Sequence, residues 1–188
     1  MQMKMNYETP RLILKVLPDT AARQVLQFYL DNQDVFEQYE IDRPRNFYTE
    51  NYQKSLLHCE YNLAVKQSFV RFWAFEKGKE ERVIGTVSFQ HICWTPYLSC
   101  ELGYKFDRRY WGKGYAKESI QKCLAIAFAE MKLHRIEAQV QPENTASKKL
   151  LQRLGFVKEG TKRQSVKLHG VWKDHEVYAL LSEEMQEV

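Results

Sequence analysis

A chain of 188 residues with 44% hydrophobic and 28% charged side chains has the size and composition of one globular domain, residues 1–188, and is too apolar for a disordered polymer. About 70% of the surface of a chain this long is buried on folding, so no disulfide or metal staple is needed. Its 28 Lys and Arg against 24 Asp and Glu leave +4, too small an excess to demand nucleic acid, whereas an aromatic share of 13% is high enough that some rings are expected to line a cleft.

Arg11–Leu17 (RLILKVL) predicts a first strand, stopped at Pro18-Asp19. Thr20 then caps a helix to about Asp31, whose inner face is Ala22, Val25, Leu26 and Tyr29. A polar, ring-rich stretch, Asp34–Tyr48, precedes a second helix over Glu50–Lys66 that Thr49 starts. Three strands follow as a meander, Phe69–Lys77, Arg82–Trp94 and Tyr97–Asp107, turning at Gly78-Lys79-Glu80 and at Thr95-Pro96. In the third, Leu98, Cys100, Leu102, Tyr104 and Phe106 alternate with Ser99, Glu101, Gly103 and Lys105, which puts Glu101 on the polar face.

From Gly114 to Lys132 the period changes. Apolar residues recur at Ala116, Ile120, Cys123, Leu124, Ala127, Phe128 and Met131, the pattern of a long amphipathic helix. A strand over Ile136–Val140 and a helix over Asn144–Leu154, stopped by Gly155, come next. Strands Phe156–Gly160 and Asp174–Leu181 close the chain, with a basic segment, Lys162–Lys173, between them. The order β-α-α-β-β-β-α-β-α-β-β implies an α+β class: a mixed, mostly antiparallel central β-sheet flanked by helices.

No run approaches the ~20 apolar residues of a membrane span, and Met1–Glu8 lacks the apolar core of an export signal. Cys59, Cys93, Cys100 and Cys123 include no C-x-x-C pair and read as reduced, half-buried thiols. The five histidines show no zinc-binding spacing, so no metal is expected. The expected compartment is the cytoplasm.

Chemistry concentrates in Arg109-Tyr110-Trp111-Gly112-Lys113-Gly114-Tyr115-Ala116, between a strand and the longest helix. Glycines let the backbone turn tightly and approach a ligand. The unpaired N–H groups and the dipole of the following helix favour an anion such as a diphosphate. Arg108, Arg109 and Lys113 add positive charge. The segment fits neither a dinucleotide fingerprint, which needs a small residue at Lys117, nor a P-loop.

R-x-x-G-x-G, read as Arg109, Gly112 and Gly114, resembles the acetyl-CoA pyrophosphate loop of the GNAT (Gcn5-related N-acetyltransferase) superfamily. Asn144-x-x-Ser147-x-x-Leu150-x-x-x-Leu154-Gly155-Phe156 is similar to that superfamily's next motif. The opening Thr9-Pro10-Arg11-Leu12-Ile13-Leu14, together with Glu101-Leu102-Gly103-Tyr104 and Tyr110–Ala116, resembles its RimJ/RimL branch, the ribosomal-protein N-acetyltransferases. The likeness runs from about residue 8 to 181.

The resemblance implies direct transfer of an acetyl group from acetyl-CoA, as co-substrate, to a primary amine in a ternary complex, without a metal. The implied acceptor is a protein N-terminal α-amine, such as that of a ribosomal protein; a small amine, such as an antibiotic, polyamine or amino acid, is the alternative. It places the carrier on Leu102, Gly103 and Tyr104 of the third meander strand, on Arg109, Tyr110, Trp111, Gly112, Lys113, Gly114 and Tyr115 of the loop, and on Asn144. Glu101 becomes the base, acting directly or through water in an aromatic setting, and Ser147 the acid for the leaving thiolate. Many GNAT enzymes carry a tyrosine acid where this chain has Leu151, which shifts that role to Ser147 or to solvent. Asn144 and Ser147 also suit plain helix capping.

The acceptor is expected between residues 28–61 and 162–173. The first stretch is ring-rich and acidic, with Asp31, Asp34, Glu37 and Glu40, and Phe36 and Tyr39 join Glu101 as acceptor-binding residues. A non-catalytic CoA-binding module, or an RNA contact through Lys158–Lys173, is the reading from another class; no RNA-binding signature supports the second. Monomer and homodimer are equally compatible with the sequence.

Overall fold

The computed structural model describes residues 3–185. The predicted meander forms the middle of an eight-stranded sheet. The strands are β1 (Asn6–Glu8), β2 (Leu12–Lys15), β3 (Val70–Glu76), β4 (Gly85–Cys93), β5 (Ser99–Phe106), β6 (Arg135–Val140), β7 (Val157–Leu168) and β8 (Val171–Leu181). Their spatial order is β1-β2-β3-β4-β5-β6-β8-β7. Every neighbouring pair is antiparallel except β5–β6, which a helical crossover makes parallel, so the expected α+β class and mixed sheet hold.

Helices cover both faces. On one, α1 (Ala22–Asp31), the single-turn α2 (Gln33–Phe36) and α3 (Glu50–Val65) enclose a ring-rich core of Phe28, Tyr29, Phe36 and Phe47 against Trp73 and Phe75. On the other, α4 (Tyr115–Ala125) and α5 (Thr145–Arg153) close the larger core, which includes Leu12, Leu14, Phe72, Val87, Phe89, Leu102, Ile120, Leu124 and Leu151. The alternation read in β5 is the reason: Cys100, Leu102 and Phe106 are buried in the larger core, while Glu101, Gly103 and Lys105 face the other way.

Several expectations are corrected. Thr20 does not cap α1 but sits inside a 3₁₀ turn, Asp19–Ala21. Thr49 does cap α3, its hydroxyl accepting the Tyr52 N–H at 3.3 Å. The long helix stops being α-helical at Ala125 and continues as a π-type turn over Ile126–Glu130. Two thiols, Cys100 and Cys123, are fully buried and two, Cys59 and Cys93, are exposed. The largest change is at the end of the chain. The basic segment Lys162–Lys173 is no loop: β7 and β8 pair through it, with irregularities at Lys158–Gly160 and Lys162–Val166, and turn only at His169-Gly170.

Candidate active site

The site grows out of the one parallel pair. β5 and β6 are in register at Ser99–Arg135, Cys100–Ile136 and Glu101–Glu137, and there the pairing ends. β6 continues alongside β8 to Val140, and β5 continues alongside β4 to Phe106. The sheet therefore splits, and among the described residues no strand pairs with the second edge of Leu102–Phe106. Such an edge offers backbone N–H and C=O groups to an extended ligand.

Glu101 stands at the vertex of the split. Its carboxylate accepts from Gln139 Nε2 on β6 at 2.9 Å and from Gln90 Nε2 on β4 at 3.4 Å, and lies 3.3 Å from His91 Nδ1. His91 has φ +50° and lies where the β4–β5 register shifts, so a strand irregularity aims its ring at Glu101. These neighbours are amides and an imidazole, not the aromatic setting expected. His175 on β8 is buried nearby, and although Glu101 favours its charged form, burial dominates and lowers its pKa.

On the opposite face, Asn144 caps α5 by accepting the Ser147 N–H at 3.0 Å. Ser147 Oγ lies 2.6 Å from the Tyr104 hydroxyl. Leu151, in the next turn, is fully buried.

The glycine loop follows β5 directly. Asp107, buried at its start, accepts the Arg109 N–H at 2.9 Å and the Arg109 side chain at 2.9 and 3.0 Å. A 3₁₀ turn over Arg108–Tyr110 leads to Gly112 and Gly114, at φ +73° and +82°, a backbone that side chains strain to adopt. Gly114 is the N-cap of α4. Among the described residues nothing accepts the N–H groups of Gly112, Lys113 and Gly114. The indole of Trp111 donates to Phe106 O at 2.8 Å, and Tyr110 packs edge-on against Tyr115.

The positive charge expected there is mostly engaged. Arg109 also binds Asp31 at 2.7 Å, and Arg108 binds Asp34 at 2.7 Å. Burial would raise the Asp107 carboxyl, but the Arg109 guanidinium and N–H outweigh it and hold it below the usual range. Arg109 thus shapes the loop through Asp107 and Asp31, and Lys113 keeps its ammonium free of any ion pair among the described residues.

The opening Thr9-x-Arg11 acquires a physical role that the sequence did not show. Glu118, in the first turn of α4, accepts from Thr9 Oγ1 at 2.6 Å, Arg11 N at 2.9 Å and Arg11 Nε at 2.6 Å. Arg11 Nη1 in turn donates to Lys113 O at 3.0 Å, so the N-terminal strand pair holds the glycine loop.

The two segments expected to flank the acceptor do meet. His169, at the tip of the β7–β8 turn, contacts Asp42 Oδ1 at 2.6 Å and Glu37 O at 2.7 Å, and Gln141 Nε2 donates to Tyr39 O at 3.4 Å. Two details differ from expectation. Phe36 is buried in the smaller core, whereas Tyr39 is 43% exposed. Three of the four carboxylates are paired with cations, Asp31 and Asp34 as described and Glu40 with both Arg43 and Lys105, while Glu37 accepts from Gln33 Nε2 at 2.9 Å and the Tyr48 hydroxyl at 2.8 Å.

A sheet split that leaves one strand edge unpaired, a glycine loop with unpartnered N–H groups at a helix N-terminus and a carboxylate held at the vertex together suit an extended, anionic ligand. Residues 11–157 match the family model described as "Acetyltransferase (GNAT) domain", and the chain belongs to that family. It is a GNAT acetyltransferase. A probable N-acetyltransferase of Bacillus subtilis, YjcK, is 35% identical over 91% of this chain and 94% of its own length. The [ribosomal protein uS5]-alanine N-acetyltransferase of Escherichia coli is 28% identical over 94% of this chain and 91% of its own. The solved ribosomal-protein-S5-alanine acetyltransferase of Vibrio fischeri superposes with a TM-score of 0.90, covering 98% of this chain and all of the other at 27% identity. No described helix is long and apolar enough to cross a membrane.

Proposed function

We propose that the chain acetylates a protein N-terminal α-amine by direct attack of the amine on acetyl-CoA. The observation that carries the reading is the split after Glu101, which puts an unpaired strand edge, a held carboxylate and the glycine loop on one continuous stretch, Glu101–Gly114. The pyrophosphate lies on the N–H groups of Gly112, Lys113 and Gly114, and the pantetheine arm runs along Leu102–Phe106. The amine enters beneath the His169 contact and past Tyr39. Glu101 takes its proton through a water, the C–N bond forms and the C–S bond breaks, and Ser147 donates a hydrogen bond to the departing thiolate. The acceptor class follows the Escherichia coli and Vibrio fischeri relatives, which are named for acetylating ribosomal protein alanine and align along almost the whole chain.

The test is mass spectrometry of products from a pool of peptides with all N-terminal residues and from a panel of small amines. Acetylated peptide α-amines, led by N-terminal alanine, are expected. Acetylation confined to small amines overturns the acceptor. In the same assay Glu101→Gln is expected to lower kcat ~100-fold with little change in the KM for acetyl-CoA, and unchanged turnover removes the base role.

A further inference from the structure

Tyr104 carries a phenol that the transfer just described does not use. It lies on the unpaired stretch of β5, on the face opposite Glu101, with its ring against the larger core. Its oxygen is 2.6 Å from Ser147 Oγ and 3.4 Å from the Ser147 carbonyl oxygen. Burial pushes the phenol up to about 12, only partly offset by the Ser147 bond, so it stays protonated at neutral pH. Ser147 is fixed from its other side, where Asn144 accepts its N–H at 3.0 Å.

The direction of the short bond follows from the partners. A phenol is the more acidic of the two hydroxyls, and were Ser147 the donor the phenolic hydrogen would be left only the Ser147 carbonyl, at 3.4 Å. The phenolic hydrogen therefore points at Ser147. With the phenol donating, Ser147 keeps its own hydrogen, for which no second acceptor is present among the described residues.

We infer that Tyr104 is a positioning residue for acetyl transfer: its hydroxyl donates to Ser147 Oγ and so turns the Ser147 hydrogen towards the sulfur of CoA. The inference rests on the proposed placement of the thioester along the free edge of β5. No proton leaves Tyr104. As the C–S bond breaks, the electron pair goes to sulfur, the thiolate accepts the Ser147 hydrogen bond, and water protonates it after release. A donor already holding one hydrogen bond donates its own more strongly.

The test needs no acceptor. The thiol of bound CoA is titrated by thiolate absorbance on the full chain, with the same protein holding desulfo-CoA as the blank that cancels Cys59 and Cys93. The wild type is expected to raise the thiolate fraction at a given pH above that of free CoA. A hydrogen bond to an anion is lost or weakened in the variants, so Tyr104→Phe should lower that fraction about tenfold and Ser147→Ala at least as much. Replacing Tyr104 by 3-fluorotyrosine, the same shape with a more acidic hydroxyl, should raise it. A fall in Ser147→Ala with none in Tyr104→Phe overturns the role of Tyr104 and leaves that of Ser147. No fall in Ser147→Ala, or an unperturbed thiol in the wild type, overturns the reading underneath. If Tyr104→Phe does not fold, the fluorotyrosine chain decides, and an unchanged fraction there refutes the inference.

Discussion

Replacing Glu118 with alanine removes the point at which the N-terminal strands hold the glycine loop. Three hydrogen bonds go, from Thr9 Oγ1, Arg11 N and Arg11 Nε. A bond to an ionised group contributes ~1.5–3 kcal/mol when shielded, but the Arg11 side chain is 45% exposed, and exposed ion pairs contribute little. Counting the half-buried Thr9 bond at ~1.5 kcal/mol and the other two at ~0.5 kcal/mol each gives a loss of ~2.5 kcal/mol. For a chain of this size that is a fall in Tm of about 5–10 °C, read by scanning fluorimetry. Arg11, released, no longer supports the Lys113 carbonyl, so the KM for acetyl-CoA should rise ~5–10-fold while kcat changes little. The pH dependence has a definite sign. Burial alone would raise the Glu118 carboxyl, but the Thr9 and Arg11 bonds outweigh it and lower the pKa. Its contribution is therefore full above the unfolded value of ~4.3 and is lost as pH falls through the lower folded value. The Tm gap between wild type and Glu118→Gln should be widest above about pH 5 and narrow below about pH 4. A Glu118→Ala chain with unchanged Tm and unchanged KM would refute the reasoning.

Gly85→Ala should destabilise the chain by ~1–3 kcal/mol, because a Cβ there would lie 2.1–2.7 Å from ring atoms of the buried Phe106 directly opposite on β5; an unchanged urea midpoint counts against this. His169 reaches a carbonyl and a carboxylate at once, which requires a hydrogen on both ring nitrogens. The Glu37 carbonyl first, and then Asp42, raise its pKa, so the contact is complete below about 6.5 and is lost as pH rises through the folded value. Trypsin should accordingly cut after Lys167 more slowly in wild type than in His169→Ala at pH 6, with the difference shrinking as the pH is raised. Equal rates at pH 6 would exclude the contact as a restraint.

The sequence revealed elements that bury one face and obscured those that bury none. β5 and α4 each show a clean period because one side meets the core. β7 is exposed along most of its length as the sheet edge, so Lys162–Lys167 reads as a basic segment between strands although β7 pairs with β8 on both sides of an irregularity there. The site divides in the same way. Glu101 was legible from alternation and Asn144 from capping chemistry, both local rules. Gln139 was not, since its bond to Glu101 depends on the β5–β6 register. The partners of Arg109 were hidden too: a count of charges cannot show that Asp31, at the end of α1, folds back onto it. The rings of residues 28–61 are legible as a cluster, and the structure divides them between core and surface. Phe28, Tyr29, Phe36 and Phe47 form the smaller core, and Tyr39 and Tyr61 are the rings left exposed.

The pleat of β5 explains why one strand can serve the whole proposed reaction. Successive side chains point to opposite faces while the backbone edge lies in the plane between them. Glu101 uses the first face, where Gln90, His91 and Gln139 hold it. Tyr104, an odd number of residues away, uses the second, where it meets Ser147. The edge of Leu102–Phe106 between them is unpaired because β6 leaves it after Glu101. The proposed base for the amine, the proposed track for the thioester and the phenol proposed to orient Ser147 thus occupy three directions around one backbone. A one-residue slip of β5 against β4 would exchange the two faces and take all three out of place together. The register opposite Gly85, where only a residue without a Cβ admits the Phe106 ring, therefore helps to fix the active-site geometry as well as the core.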